Sequence, residues 1–315
     1  MPRLIHRLLK ITGIALATLV VVIAGLVAYV TISGNSAADE RESIIAVTVA
    51  PGQVVTIGDR QIHVRTFGDI AKPTVLLLHG FSAEGGFSWG PLPELLADSC
   101  HVLVPDMLGF GHSERVTEPG LHYTHTGRAS RMAALLVRLG VDGPVDVVGT
   151  SFGGGVAAEL ALSHPNQVRR LVLIDAQIYE LGGGIFQFLG SVPLGIGRAL
   201  SWYGQGGGSI ERERGAAQAR CESGGHCPES EDLQKQFSLR LVRGTATALH
   251  AMSKTPTDAQ VPRDLRLIRS PTLVIWGERD NLIPVSDGER LSNDLSQALL
   301  ATVEGAGHNP YLDRP

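Results

Sequence analysis

The stretch that decides the fold is Val145-Asp146-Val147-Val148-Gly149-Thr150-Ser151-Phe152-Gly153, followed by Val156-Ala157-Ala158-Glu159-Leu160-Ala161-Leu162. Its first part is a short apolar run of the kind a buried strand presents, and its last part reads as a helix. Between them stands G-x-S-x-G, which in a strand–turn–helix context lifts a serine hydroxyl clear of a sheet. Glycine is required on both sides for a steric reason: strand and helix nearly collide there, and a Cβ at Gly149 or Gly153 would clash. The same turn aims the Phe152 N–H and the helix N-terminus at the space that the Ser151 hydroxyl faces.

Working outward, the chain carries further apolar runs without alternation: Val75–Leu78, Val102–Val104, Leu171–Ile174 and Leu273–Trp276. Such runs suit strands buried on both faces, as in a parallel sheet covered by helices. Helical stretches fall between them. In the segment 126–139, Met132, Leu135, Leu136 and Leu139 repeat at i, i+3, i+4, i+7, with Arg128, Arg131 and Arg138 elsewhere on the wheel. Ahead of these runs, Gln53–Ile57 and Gln61–Phe67 flank Gly58-Asp59 and form a hairpin. The alternation predicts an α/β fold with a mostly parallel sheet flanked by helices. Its rhythm breaks between Gln177 and about Thr257, which is Gly-rich at 182–184 and 206–208 and holds amphipathic pieces over 186–200 and 233–249. An insertion there, between two strands, lies beyond the carboxyl ends of the sheet and forms a helical cap over Ser151.

Hydrophobic residues make up 43% of the 315 and charged ones 18%, enough for one large core. A net charge of −4 offers no footprint for nucleic acid. The N-terminus differs in kind. Ile11 to Ile32 carries no charge and as a helix spans about 33 Å, against a hydrocarbon core of about 30 Å. Arg3, Arg7 and Lys10 precede it and Asp39, Glu40 and Glu42 follow, which places the body of the protein on the extracytoplasmic side of a membrane. A retained anchor fits the length. The competing reading is a signal peptide cut near Ser36-Ala37-Ala38, with secretion of the body. Cys221 and Cys227 are set to pair in such a compartment; with His226 they fall short of a four-ligand zinc set.

Ser151 needs a base, and the base needs an orienting carboxylate. His308 lies in Gly305-Ala306-Gly307-His308-Asn309-Pro310, a loop just after the last apolar run, Leu299–Val303. Asp280 stands shortly past the strand Leu273–Trp276, and the order Ser151, Asp280, His308 suits a triad on a parallel sheet. Asp175, ending its own strand, is the rival acid. Leu78-His79-Gly80-Phe81-Ser82 closes another central strand, so that backbone N–H groups of Phe81 and Phe152 form an oxyanion hole. His79 is expected to hold that loop, and Asp106 to satisfy backbone donors in a tight turn.

These segments, His79-Gly80-Phe81, Asp106 with Gly109-Phe110-Gly111-His112-Ser113, the Ser151 turn, Trp276-Gly277-Glu278-Arg279-Asp280 and Gly307-His308-Asn309-Pro310, together resemble the α/β-hydrolase superfamily in its serine-nucleophile branch. The resemblance covers about residues 54–315. It implies Ser151 as nucleophile, His308 as base, Asp280 as acid and the Phe81 and Phe152 amides as oxyanion donors, without metal or organic cofactor. Members continue into a helix beyond the position of Pro315, so the chain reads as C-terminally shortened. The expected division is a cytoplasmic stub and membrane helix over 1–33, a linker over 34–46, a core over 47–176 and 258–315, and a cap over 177–257. The expected activity is hydrolysis of carboxylic esters with apolar or lipid-like acyl groups, given the tether and the apolar cap piece Ile185-Phe186-Gln187-Phe188-Leu189. Carbon–carbon bond or lactone hydrolysis, and a non-catalytic ligand sensor, are the alternatives. The expected partners are thus a small ester and a membrane; oligomeric state is open.

Overall fold

The computed structural model describes residues 2–41, 51–179, 191–204, 209–255 and 264–315. Eight strands form one sheet: β1 (Gln53–Ile57), β2 (Arg60–Phe67), β3 (Thr74–Leu78), β4 (His101–Pro105), β5 (Val145–Thr150), β6 (Val168–Ile174), β7 (Thr272–Gly277) and β8 (Ala298–Val303), in the order β1-β2-β4-β3-β5-β6-β7-β8. β2 is antiparallel to both neighbours, and every other pairing from β4 to β8 is parallel.

The long apolar runs have the cause read from the sequence. Along β3, Leu76 and Leu78 belong to one core layer and Val75 and Leu77 to the other, so alternate side chains feed both faces. One face is covered by α3 (His125–Arg138) and α4 (Phe152–Ser163), which pack on each other and place Met132, Leu135, Leu136, Val156 and Leu160 in the larger core. Thr124 caps α3, its side-chain oxygen accepting the Gly127 N–H at 3.0 Å. The other face carries α2 (Leu92–Ala97) and Trp89. Cys100 packs at the edge of that second layer.

The cap region has four described helices: α5 (Leu194–Gly204), α6 (Ile210–Glu222), α7 (Ser230–Arg240) and α8 (Thr245–Ser253). The piece expected over 233–249 is two helices rather than one, because the chain turns through Gly244 at φ 89°. The piece expected over 186–200 is helical from Leu194; residues 180–190, with Ile185–Leu189 and the 182–184 glycines, lie outside the described residues, as do 206–208.

The largest departure is at the N-terminus. Helix α1 (Pro2–Arg41) runs straight through the expected linker at Gly34, and its stretch Leu16–Asp39 is long and apolar enough to cross a membrane. Tertiary packing on the cap explains the extra turns. Gly34 approaches α5 so closely that a Cβ would lie 2.8 Å from the Ala199 Cβ. Ala38 is fully buried beside Trp202 and Ala246. Around this seam the Asn35 amide donates to the Gly195 carbonyl at 2.8 Å, Ser33 and Tyr203 share a 2.9 Å hydrogen bond, and Arg198 pairs with Asp39 at 2.6 Å. No propensity in the polar 34–41 stretch announces a partner more than 150 positions away. Residues 42–50 lie outside the described residues.

A leucine at Gly34 is expected to push α1 off α5. The measured consequences are a lower melting temperature and faster cleavage of the cap in limited proteolysis; unchanged rates would show that the seam carries no strength.

Candidate active site

Ser151 stands between the last residue of β5 and the first of α4, at φ 51° and ψ −124°. It is one of two non-glycine residues at positive φ among those described, and such a conformation costs about 1–3 kcal/mol. The surroundings hold it there: its N–H donates to the Ile174 carbonyl, and its own carbonyl accepts from Gly154 and Gln177, all at 2.9 Å. The flanking glycines are sterically fixed. A Cβ on Gly149 would sit 2.4 Å from the Gly153 carbonyl oxygen, and one on Gly153 2.2 Å from that of Leu78. Gly80 also approaches the serine, though less tightly, since its Cβ would lie 3.2 Å from the Ser151 Cβ. The loop carrying Phe81 thus runs beside the serine, and the Phe81 and Phe152 rings meet edge to face at 6.0 Å.

His308 sits in the loop after β8, where Gly307 donates to the Asp313 carboxylate at 2.9 Å. Its Nδ1 lies 2.7 Å from Asp280 Oδ2, and Asp280 Oδ1 accepts the N–H groups of Leu282 (2.7 Å) and Ile283 (3.0 Å). Burial works against the Asp280 charge; the hydrogen bonds from His308 and these amides outweigh it and hold the carboxyl below its usual range. The carboxylate therefore stays ionised and fixes the proton of the imidazole on Nδ1, leaving Nε2 as the basic nitrogen. Ser151 and His308 line one cavity of about 410 Å³, together with Gly80, Phe81 and Gln177. Of the residues expected to work together, Phe81, Ser151 and His308 thus line one cavity, and Asp280 contacts the imidazole at Nδ1.

His79 and Asp106 take the structural places expected of them. Buried His79 accepts the Met107 N–H on Nε2 at 3.0 Å and faces the Gly80 carbonyl with Nδ1 at 2.7 Å, which sets its tautomer and ties down the Phe81 loop. Burial lowers its pKa to about 4, so it is neutral. Asp106, fully buried, accepts from Gly86 (2.7 Å), His112 (2.8 Å) and His63 (2.8 Å). Burial opposes its charge, yet the His63 pairing and these donors bring its pKa down to about 2. A folded-state pKa below the unfolded one means stability that is present above about pH 4 and lost as pH falls toward 2. Asp106→Asn is therefore expected to lower stability at neutral pH by about 2 kcal/mol or more and to flatten the acid limb of the unfolding curve, measured by denaturant melts across pH.

The roof comes from the insertion expected to cap Ser151, but the charge of its wall was not legible in the sequence. It is built by α6 and α7, and its wall is charged: Arg240 of α7 reaches Glu84 of the core at 2.5 Å and Glu213 of α6 at 2.8 Å. Glu84 is a short hop from the Phe81 loop, so this pair ties cap to core beside Ser151. Cys221 and Cys227 are disulfide-bonded, with Cα atoms 5.0 Å apart, and between them the His226 N–H donates to the Leu312 carbonyl at 2.6 Å. A second cavity of about 880 Å³ adjoins the first and shares Gly90, His226, Pro228 and Gln236 with it.

Residues 75–315 match the alpha/beta hydrolase family. The chain is an α/β hydrolase. This hydrolase is 31% identical over 244 residues to a 2-hydroxymuconate semialdehyde hydrolase of Pseudomonas sp., covering 74% of this chain and 80% of that protein. It is 25% identical over 260 residues to a monoacylglycerol lipase of Xenopus laevis, covering 78% and 72%. Among solved structures it resembles a membrane phospholipase A with a TM-score of 0.64 at 25% identity, over all of this chain and 94% of that one.

Proposed function

We propose that the protein is a membrane-anchored serine hydrolase of carboxylic esters. The observation that carries this reading is the strained Ser151 turn opening on the same cavity as His308, whose other nitrogen is held by Asp280 at 2.7 Å. Ser151 Oγ attacks the ester carbonyl while its proton passes to His308 Nε2. The tetrahedral oxyanion lies at the Phe81 and Phe152 amides, each such donor being worth about 2.7–4 kcal/mol. The carbon–oxygen bond then breaks, the imidazolium returns its proton to the leaving alcohol, and water repeats the sequence on the acyl-enzyme. The histidine, the acid and the two amides supply the needed proton transfers and charge stabilisation, so this route calls on no cofactor.

Two supports favour esters of apolar acids: the lipase and phospholipase likenesses, and a helix fit to cross a membrane that docks directly on the cap. The second reading, carbon–carbon hydrolysis of a ring-cleavage product, is favoured by the 31% identity to the semialdehyde hydrolase. Steady-state kinetics on p-nitrophenyl esters of rising chain length, beside a 2-hydroxy-6-oxo dienoate, separate the two. Higher kcat/KM on the esters is expected; turnover of the dienoate alone would replace this reading with the second.

We infer that the anchor is retained, with the body outside the cytoplasm, because residues 33–39 are built into the seam with α5. Detergent-extracted protein is expected to keep the residues of the membrane helix, seen by mass spectrometry as peptides that precede Ala38. A species beginning near Ala38 would instead mean a cleaved signal.

A further inference from the structure

Asp175, the residue that follows β6, is the second non-glycine residue at positive φ among those described, at 42°. It is fully buried, and its Oδ1 accepts the Gly277 N–H at 2.9 Å. Its Oδ2 is buried and has no hydrogen-bond partner. One oxygen of Asp175, one of Asp280 and a ring nitrogen of His308 all lie within 4.8 Å of one another. The imidazole is therefore flanked by two acids from neighbouring strands, of which the hydrogen bond at 2.7 Å engages Asp280 alone. A carboxyl kept in a strained backbone with a spare oxygen beside the base is more than a turn cap requires, because the Gly277 contact uses only the other oxygen.

Resting on the serine-hydrolase reading above, we propose that Asp175 is a positioning residue for His308, a reserve acid that carries the single negative charge behind the imidazole when Asp280 cannot. Two acids this close to each other in a buried site share one charge more readily than they hold two. Burial pushes the Asp175 carboxyl up to about 7, against the Gly277 N–H; the Asp280 charge adds to the rise, His308 opposes it, and Asp313 adds again. Tyr311, from the same short C-terminal helix as Asp313, completes the ionisable groups that sense it. Below about pH 7 the parent protein thus keeps the proton on Asp175 while Asp280 is ionised. Neutralising Asp280 removes one cause of the rise, so Asp175 gives its proton to solvent and its carboxylate faces the histidine.

The test is a double-mutant cycle on kcat/KM for a p-nitrophenyl ester, with full-length protein in detergent and His308→Ala as the floor. Asp175→Asn is expected to lower kcat/KM less than about tenfold in the parent and about 100-fold in the Asp280→Asn background, a non-additivity that marks direct coupling. Equal factors in both backgrounds would overturn the proposal and leave the hydrolase reading intact. If Ser151→Ala and His308→Ala turn the ester over like the parent, both fall together. The pH profile of Asp280→Asn gives a second readout should Asp175→Asn fail to fold. As pH falls and Asp175 takes up its proton, Asp280→Asn is expected to lose kcat/KM more steeply than the parent, whose Asp280 stays ionised. Parallel slopes would overturn the proposal.

Discussion

Replacing Ser151 with alanine is expected to lower kcat/KM on p-nitrophenyl esters by about 10⁴–10⁶-fold while leaving the far-UV spectrum and melting behaviour close to the parent's. The hydroxyl is the only group removed, and the backbone hydrogen bonds that hold the turn, from residue 151 to Ile174, Gly154 and Gln177, are made by main-chain atoms. Residual turnover would come from the two amides and from binding, as in other hydrolases that have lost their nucleophile. His308→Ala is expected to fall to a similar level, since the two act as a unit. An alanine variant that keeps more than about a tenth of the parent rate would move the chemistry elsewhere in the cavity.

Gly153→Ala is expected to be strongly damaging to both fold and activity. Its Cβ would lie 2.2 Å from the Leu78 carbonyl oxygen and 2.4 Å from that of His79. Both are backbone atoms at the end of β3, so no side chain can rotate out of the way; α4 itself must lift from the sheet. Overpacking of a close-packed site costs about 1–3 kcal/mol and more where backbone must move, and here it also breaks the turn that presents Ser151. Gly215→Ala is the control. It sits within α6 with nothing inside 4 Å of the added Cβ, so the substitution is expected to be neutral or to stabilise by up to about 1 kcal/mol. Denaturant midpoints of the two variants check the contrast, and similar midpoints would contradict the steric account.

The parts of the fold visible in the sequence are those whose cause is local. β3, β4, β5, β6 and β7 announce themselves because both faces are buried, so nearly every side chain is apolar. The hairpin of β1 and β2 follows from Gly58-Asp59, with Ile57 and Arg60 paired across the turn. The Ser151 turn and the His308–Asp280 pair were legible because strand ends fix which loops share an edge. Where distant residues decide, the sequence is silent. Gly34 to Arg41 looks like a linker, and is helical because α5 covers it. The Arg240–Glu84 contact joins residues 156 positions apart with no motif around either. Asp175 stood in the sequence as a rival to Asp280, but only the coordinates place it against the same imidazole.

All of the proposed chemistry requires Ser151 to be an activated nucleophile. Labelling the detergent-solubilised protein with a fluorophosphonate and locating the adduct by peptide mass spectrometry tests it most directly. One adduct is expected, on the peptide containing Ser151, with no labelling of Ser151→Ala. Equal labelling of parent and variant, or an adduct on another residue, would contradict it.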